Sequence, residues 1–332
     1  MVKNCKTGER KNTDIRMRME EMGFRQGKIA HQRITDGGRL FPTVLLPLHN
    51  TMTVKSLVQT IQNNREWIEE ELKEAGALLF RGFPLKTAAD FNEVVEAFGW
   101  EEQPYLGAAS RTRVHGRVFT ANEAALDQPI KFHHEMVKFE EFPSKLLFFS
   151  EIAPPEGGQT AILLSHNVTA RMEQKYPELV AKLDKEGIFY FNTFSPEDHP
   201  GIVVKGWQTL YQTRDKDEAE KKALEASQTK VTWEGSKMVV RVGPLTSIRT
   251  FDGNKKAWFN QIAYWNSETP RMLGDGSLFP QEATECCIQI TEEESVEVNW
   301  EVGDVLLIDN RLVQHARRPS KPPRRILVAI CK

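Results

Sequence analysis

The sequence contains little cysteine and no long apolar run, and these absences exclude several classes of protein. Only four of the 332 residues are cysteine, and none forms a Cys-x-x-Cys spacing. A disulfide framework and a zinc knuckle are therefore not indicated, and this cysteine usage is typical of a reduced, cytoplasmic protein. No apolar stretch approaches the ~20 residues that a membrane-spanning helix needs. We therefore expect a globular protein that has no membrane partner.

The sequence also lacks an excess of charge of either sign. The 44 Lys and Arg residues balance 46 Asp and Glu residues, which gives a formal net charge of -2. Such a balance creates no general field for holding a polyanion, so a nucleic acid is not an expected partner. Two hydrolase signatures are missing as well, the His-Glu-x-x-His of zinc peptidases and the Gly-x-Ser-x-Gly nucleophile elbow.

Residues 1–40 form a polar and basic leader. The stretch Met1 to Arg39 contains no serine and includes several acidic residues, whereas an organellar transit peptide is rich in serine and poor in acid. The composition therefore favours a hydrated segment that packs onto the rest of the protein over a targeting sequence. Residues 41–332 show no break in composition, and we interpret them as a single domain.

Apolar periodicity in this domain predicts helices first and strands afterwards. Helical spacing runs from Ser56 to Ala75 and from Ala88 to Phe98, with a short buried strand, Ala77 to Phe80, between them. Helical interruptions are expected at 167–186 and 215–226. Short apolar runs between Gly, Pro and Asp predict the later strands: Lys145 to Phe149, Thr160 to Leu164, Met238 to Val242, Trp258 to Tyr264, Val296 to Trp300, Val305 to Ile308 and Ile326 to Ile330. The fold class is mainly β with packed helices, an open barrel or jelly roll.

One histidine has an acidic residue two positions later. In Phe132-His133-His134-Glu135-Met136, residues 133 and 135 would project from the same face of a strand, and His134 from the other. Two histidines and a carboxylate form the facial triad that holds a divalent first-row metal with open positions. His315 is the candidate third ligand, since we place it in a loop between two core strands. Spacing alone favours a plainer interpretation, in which His315 is a hydrogen-bonded loop residue and Glu135 a surface carboxylate.

Arg325 shifts this balance toward a functional site. It directly precedes the apolar strand Ile326 to Ile330 and lies ten residues after His315. A guanidinium at the mouth of a buried strand is either a surface residue with a buried stem or a fixed cation that binds a carboxylate. A metal triad together with an anchored cation is what a keto-acid cosubstrate requires.

These residues resemble the motifs of the iron(II)/2-oxoglutarate-dependent oxygenases of the taurine dioxygenase superfamily, especially the clavaminate synthase-like branch. The resemblance runs from about Gly76 to the C-terminus and involves five segments in the family's order. They are Gly76 to Phe83, Phe132 to Met136 with Glu in place of the commoner Asp, Gly157-Gly158-Gln159-Thr160, Asp309 to Arg317, and Arg324-Arg325-Ile326.

The resemblance implies a double-stranded β-helix fold with His133, Glu135 and His315 as iron ligands. It also implies that Thr160 and Arg325 bind the distal carboxylate of 2-oxoglutarate, and Arg325 fits the motif better than Arg324. The cofactors implied are Fe(II), 2-oxoglutarate and O2. In taurine dioxygenase a second arginine follows the anchor by four residues, and here that position is Ala329, which argues against a sulfonate substrate.

The expected function is therefore a dioxygenase that hydroxylates an unidentified small molecule and releases succinate and CO2. The alternatives are a metal-binding, cupin-like protein that needs no keto acid and a non-catalytic barrel. The cupin-like protein would retain the metal triad but would not need Thr160 or Arg325, whereas the iron content of the purified protein would argue for or against the non-catalytic barrel. The substrate and the oligomeric state do not follow from the residues.

Overall fold

The computed structural model describes residues 15–105, 111–121, 123–198, 205–226, 229–251, 255–264 and 271–332. Part of the polar leader lies within these ranges. Residues 15–21 are helical (α1), and Phe24–Gln26 (β1) pairs antiparallel with Thr43–Pro47 (β4) at the edge of a sheet. Met19 and Phe24 are buried in the core, so the described end of the leader packs onto the body of the protein.

The helices begin and end where the sequence provides caps. Thr53 and Ser56 form a capping box at the start of α2, and Gly76, with φ of 82°, ends α3 in the left-handed conformation. A Cβ at Gly76 would lie 2.8 Å from Leu164, so glycine also allows the chain to pass close to the core. The helices after α1 are α2 (Val54–Asn63), α3 (Arg65–Ala75), α4 (Ala88–Phe98), α5 (Ser165–Lys175), α6 (Pro177–Glu186), α7 (Trp207–Tyr211), α8 (Lys216–Ala226) and α9 (Gln281–Glu294).

Two facing sheets form the centre of the molecule. The major sheet has the order β1-β4-β5-β18-β9-β20-β7-β6, and the minor sheet has the order β17-β10-β19-β8. The further strands of the major sheet are β5 (Ala77–Phe80), β6 (Arg113–His115), β7 (Val118–Thr120), β9 (Lys145–Ile152), β18 (Val305–Asp309) and β20 (Arg325–Cys331). The minor sheet contains β8 (Ile130–His133), β10 (Thr160–Leu164), β17 (Val296–Val298) and β19 (Val313–Arg317).

A long insertion between β10 and β17 adds a third sheet, which we call the insert sheet, with the order β12-β13-β11-β16. Its strands are β11 (Ile188–Phe194), β12 (Thr229–Glu234), β13 (Lys237–Leu245) and β16 (Met272–Leu273). Two strand pairs complete the structure: β2 (Arg33–Ile34) with β3 (Leu40–Phe41), and β14 (Ile248–Phe251) with β15 (Lys255–Trp258). No helix in the described part of the chain is long and apolar enough to cross a membrane.

The core lies between the major and minor sheets. Side chains of alternate residues from both sheets meet there, including Leu146, Ile162, Leu306, Val313 and Val328. The opposite face of the major sheet is covered by α2, α3 and α4. This arrangement confirms the predicted mainly β fold with a double-stranded β-helix core, packed helices and helical insertions.

Three local predictions away from the candidate site differ from the structure. The helical stretch Ser56 to Ala75 is divided at Asn64 into α2 and α3. The run Trp258 to Tyr264 is not one strand, because Asn260 Oδ1 accepts a hydrogen bond from the amide of Ile262 and Nδ2 donates to the carbonyl of Ser247. This side chain ends β15 and turns the chain into a short 3₁₀ helix. The helical stretch 167–186 is divided at Pro177, which begins α6 and lacks the amide that would continue α5.

Candidate active site

Two neighbouring strands bring His133 and His315 together. His133 ends β8, His315 is the middle residue of β19, and the two residues pair directly in the antiparallel ladder. Their ring centroids lie 4.3 Å apart. The expectation that His315 lies in a loop is therefore wrong. Strand β19 was missed because polar side chains such as Gln314 interrupt its apolar pattern, and Gln314 is satisfied by a 2.9 Å hydrogen bond to the carbonyl of Trp258.

Glu135 reaches the histidines through a turn rather than along a strand. Strand β8 ends at His133, and the chain reverses at Met136, whose φ is 57°. The buried side chain of Asn310 holds this turn: Oδ1 accepts a 2.8 Å hydrogen bond from the amide of Glu135, and Nδ2 donates to the carbonyl of Glu135 at 3.1 Å. His133 and Glu135, two residues apart, do come together as predicted. A turn held by the Asn310 side chain brings them together, however, and not a continuous strand.

The three predicted metal ligands form one cluster. One potential ligand atom from each of His133, Glu135 and His315 lies within 4.8 Å of the others. The pKa of His315 lies well below its ordinary value because burial disfavours the imidazolium form, with a smaller contribution from the nearby His133. Its Nδ1 atom is buried and has no hydrogen-bond partner among the residues that the structure describes. A neutral imidazole with such an atom, a second imidazole and a carboxylate form a donor set that fits a divalent metal ion.

Neighbouring groups orient two members of this cluster. Nδ1 of His133 lies 2.8 Å from the carbonyl oxygen of Lys131, a contact that fixes the ring. Nη2 of the buried Arg111 donates to Oε2 of Glu135 at 2.8 Å, and its guanidinium lies over the ring of Tyr105. Arg111 therefore offsets part of the carboxylate charge and holds one of its two oxygens.

His134 points away from the cluster, as alternation along a strand predicts. Its Nδ1 lies 2.6 Å from the carbonyl oxygen of Asn310, and Nε2 lies 2.8 Å from the hydroxyl of Ser165. Complete burial lowers the pKa of His134 to about 3, although the hydrogen bond to Asn310 opposes this shift. His134 is thus a neutral core residue that connects β8 to the end of β18 and the start of α5.

Thr160 lies on the same face of the minor sheet as the histidines. It begins β10 and pairs with Arg317, and two residues further on Ile162 pairs with His315. Two residues correspond to about 7 Å along a strand. Oγ1 of the buried Thr160 accepts a 3.2 Å hydrogen bond from Nε1 of Trp300, which leaves its hydroxyl hydrogen for another acceptor.

The structure does not bring Arg325 to this face. Arg325 alternates with Leu327, which belongs to the helix-covered face of the major sheet, and its Nη1 pairs with Oε2 of Glu151 at 2.8 Å. Its side chain is 46% exposed. Arg324 instead alternates with Ile326, which faces the core between the two sheets. Because side chains alternate between the two faces of a strand, two adjacent arginines at a strand end point to opposite faces.

Arg324 lies beside the glycine pair of the Gly157-Gly158-Gln159-Thr160 segment. Its Nε donates to the carbonyl of Gly158 at 3.1 Å. Both glycines have φ near 70°, and a Cβ at Gly157 would lie 2.2 Å from the carbonyl oxygen of Pro319, so this approach requires glycine. Burial, and to a lesser extent Arg317, lower the pKa of Arg324 to about 10. Among the described residues, no carboxylate pairs with Arg324.

Sequence reasoning missed the roles of three residues at this site. Arg111 lies 24 positions before Glu135, and no motif connects the two. Asn310 and Arg317 lie inside the family-like segment Asp309 to Arg317, but only the tertiary structure shows which groups they hold. Arg317 donates to the carbonyls of Ala125 and Gln128, and it thereby fixes the chain that precedes β8.

The fold and the site define the class of the protein as a metal-centred oxygenase with a double-stranded β-helix. Residues 46–331 match the model of the taurine catabolism dioxygenase TauD, TfdA family, and the chain belongs to that family. The protein is therefore an oxidoreductase of the dioxygenase type that acts on a small molecule. The predicted cofactors, Fe(II), 2-oxoglutarate and O2, agree with this membership and with the His/Glu/His cluster.

Two curated relatives and two solved structures illustrate this similarity. A clavaminate synthase-like protein of Arabidopsis thaliana is 45% identical over 312 residues, which cover 88% of this chain and 94% of the relative. The dapdiamide synthesis protein DdaC of Enterobacter agglomerans is 28% identical over 291 residues, 79% and 84% of the two chains. PvcB from Pseudomonas aeruginosa has a TM-score of 0.53 at 14% identity, covering 93% of this chain and 91% of its own. A taurine dioxygenase from Burkholderia xenovorans also has a TM-score of 0.53 at 14% identity, covering 93% and 90%.

Proposed function

We propose that the protein is an iron(II)- and 2-oxoglutarate-dependent dioxygenase that hydroxylates a small molecule, with release of succinate and CO2. The observation that carries this proposal is the cluster of His133, Glu135 and His315, whose ligand atoms lie within 4.8 Å of one another. Three protein ligands would leave further coordination positions on a six-coordinate ion for a chelating keto acid and for dioxygen. Bound iron would supply the redox chemistry of oxygen activation, which no side chain can provide.

The protein's own residues orient the ligands and limit access to them. The side chain of Asn310 forms hydrogen bonds to both the amide and the carbonyl of Glu135, and Arg111 holds one oxygen of the Glu135 carboxylate. Burial keeps His315 neutral and thus able to bind a metal ion without first losing a proton. Phe148, whose ring centroid lies 5.2 Å from that of His315, closes the core side of the site against water.

We assign the distal carboxylate of 2-oxoglutarate to Arg324 together with Thr160. Arg324 is partly buried, and its single hydrogen bond among the described residues leaves most of its donors for a ligand. A bidentate carboxylate would neutralise it and accept from the Thr160 hydroxyl as well. Arg325, which the motif favoured, already pairs with Glu151 on the other face of the sheet. Arg317 is a weaker candidate because it is engaged with three backbone carbonyls.

Arg324 and Arg325 provide a matched pair of variants for this assignment. Anaerobic addition of Fe(II) and then 2-oxoglutarate should produce a visible metal-to-ligand charge-transfer band, and titration of the band gives the Kd of 2-oxoglutarate. We expect Arg324→Met to weaken 2-oxoglutarate binding by about ten- to a hundredfold, the usual effect of losing a charge-assisted hydrogen bond. Arg325→Met should leave the Kd unchanged, and neither variant should alter the iron content.

The absence of the band from the wild-type protein loaded with iron would reject the keto-acid assignment and favour a metal protein that needs no keto acid. If Arg325→Met weakened 2-oxoglutarate binding more than Arg324→Met, the distal carboxylate would be assigned to Arg325, as the motif favoured. The reaction itself is tested by mass spectrometry of metabolite mixtures, where a true substrate gains one oxygen atom for each succinate released. The relatives are named after different compounds and therefore do not identify the substrate.

A further inference from the structure

We infer that Arg111 restricts Glu135 to one metal-binding oxygen and thereby keeps a coordination position free for dioxygen. This inference rests on the proposed function, since it concerns a residue that positions a proposed ligand of the same metal site. Arg111 lies outside all five family-like segments, and its ion pair with Glu135 is a property of the tertiary structure.

A carboxylate can bind a metal ion through one oxygen or through both. Three single-atom ligands occupy three positions of a six-coordinate ion, whereas Glu135 bound through both oxygens would occupy a fourth. A keto acid that chelates through two atoms would then fill the remaining positions, and none would be left for dioxygen. The number of Glu135 oxygens on the metal therefore decides whether the proposed reaction can begin.

The backbone contacts of Glu135 do not fix this number. Asn310 binds the amide and the carbonyl of Glu135, and both groups belong to the main chain. The side chain beyond them has several rotatable bonds, and the last one, which turns the plane of the carboxylate, has only a broad energy minimum. A contact at the carboxylate itself is needed to select one oxygen for the metal.

Arg111 provides this contact at Oε2 of Glu135. Its Nη2 donates to that oxygen at 2.8 Å, the distance of a charge-assisted hydrogen bond. The side chains of Arg111 and Glu135 are only 8% and 10% exposed, so little water competes for either group. An oxygen that accepts from a guanidinium in this way has part of its charge neutralised and is the poorer metal ligand. Oε1 is thus the oxygen that remains for the metal ion.

The guanidinium of Arg111 is held in place on its flat face. It lies 4.2 Å from the ring centroid of Tyr105, and such stacking leaves the donors at the edge of the guanidinium available for a carboxylate. Arg111 precedes β6 at one edge of the major sheet, whereas Glu135 follows β8 at one edge of the minor sheet. The ion pair therefore connects the two sheets beside the metal cluster. In the described part of the chain, Arg111 is the one cation that forms an ion pair with Glu135.

The number of water ligands on bound Mn(II) tests the inference without turnover. Electron spin-echo modulation in deuterated water counts these ligands on the full chain. Arg111→Met should have one water ligand fewer than the wild-type protein, because the second carboxylate oxygen takes its place. A purely structural ion pair makes a different prediction, since its loss would lower stability or metal affinity without changing the number of water ligands.

Three further variants accompany this measurement. Arg111→Gln has a shorter, uncharged side chain and should also lose one water ligand, so the test does not depend on whether Arg111→Met folds. Arg111→Lys keeps a charged donor and should retain the wild-type number. The matched control is Arg113→Met, which should retain it as well, because the Arg113 side chain is 57% exposed and pairs with Glu102.

Nitric oxide probes the free coordination position directly. It binds ferrous iron where dioxygen would, and the complex has a characteristic EPR signal. The wild-type protein with Fe(II) and saturating 2-oxoglutarate should produce this signal, whereas Arg111→Met and Arg111→Gln should largely lose it. Omission of 2-oxoglutarate should restore the signal in both variants, because positions that the keto acid would fill become free.

A wild-type number of water ligands in Arg111→Met or Arg111→Gln would overturn the inference, whatever the stability of the variant. An undiminished nitric oxide signal in the presence of 2-oxoglutarate would overturn it too. The absorbance band of iron and 2-oxoglutarate in the wild-type protein tests the proposed function separately. If the band forms and the number of water ligands does not change, the dioxygenase assignment stands and Arg111 is a structural residue.

Discussion

Two arginines at ends of strands in the major sheet differ in how their charge is satisfied. Arg81, directly after β5, donates from Nε and Nη2 to the two carboxylate oxygens of Asp304, at 3.0 and 2.6 Å. Arg324, directly before β20, donates to one backbone carbonyl and has no carboxylate partner among the described residues. The fold pairs the charges that it needs for its own stability. The partly buried Arg324, which has no such partner, is therefore the cation that we propose for a ligand.

The strongest way to break this contrast is to remove the buried partner of Arg81. Asp304→Ala removes a fully buried carboxylate and leaves the guanidinium without its bidentate acceptor. We expect the free energy of unfolding to fall by about 3–5 kcal/mol, measured by urea titration. Glu301 also pairs with Arg81, at 3.0 Å, but its side chain is 63% exposed, so Glu301→Ala is the matched control. Equal effects of the two variants would show that burial of the pair is not what matters.

The cluster of His133, Glu135 and His315 is the opposite type of site, since we propose that it binds a metal ion from outside the protein. Metal addition therefore sharpens the contrast. An ion at a hundred times its Kd should raise the free energy of unfolding by about 2.7 kcal/mol, because it binds only the folded state. Urea titrations of chelator-treated protein with and without Mn(II) measure this difference. His315→Ala should abolish it, whereas His166→Ala, at a histidine outside the cluster, should retain it. Stabilisation that survives His315→Ala would place the metal elsewhere.

Asn310→Ala tests whether the hydrogen bonds that hold the turn at Glu135 and Met136 are as important for metal affinity as the proposed ligands. The variant keeps His133, Glu135 and His315 but removes both side-chain hydrogen bonds to the Glu135 backbone. We expect metal affinity to fall about ten- to a hundredfold, as is usual when a group that orients a ligand is removed. Competition with a fluorescent chelator gives the Kd. An unchanged Kd would mean that Met136 and its neighbours hold the turn without Asn310.

Glu151→Gln should produce the smallest effect. It removes the charge partner of Arg325 on the helix-covered face, at a pair that is partly exposed to water. We expect a loss of less than about 1 kcal/mol in the free energy of unfolding and no change in the Kd of 2-oxoglutarate. A weaker 2-oxoglutarate Kd in this variant would connect the outer face to the site and would contradict the separation of Arg324 from Arg325.

The sequence by itself determined the fold class and the three residues, His133, Glu135 and His315, that form the candidate metal cluster. Long apolar strands such as β9, β18 and β20 are evident from their composition, since they are buried on both faces. The His-x-Glu spacing is local, and the motif order located the distal histidine. Strand β19 was missed because its polar residues Gln314, His315 and Arg317 interrupt the apolar pattern, so the sequence resembles a loop.

Only the tertiary structure decided which of two adjacent arginines faces the core. Each pleat of a strand reverses the side chain, and the assignment of faces depends on what packs on each side, here the minor sheet or the helices. The same holds for Arg111, whose charge acquires a role from Glu135, a neighbour that is distant in sequence. Residue types and spacing specify the chemistry that is available, whereas packing determines which charges are neutralised and which remain for a ligand.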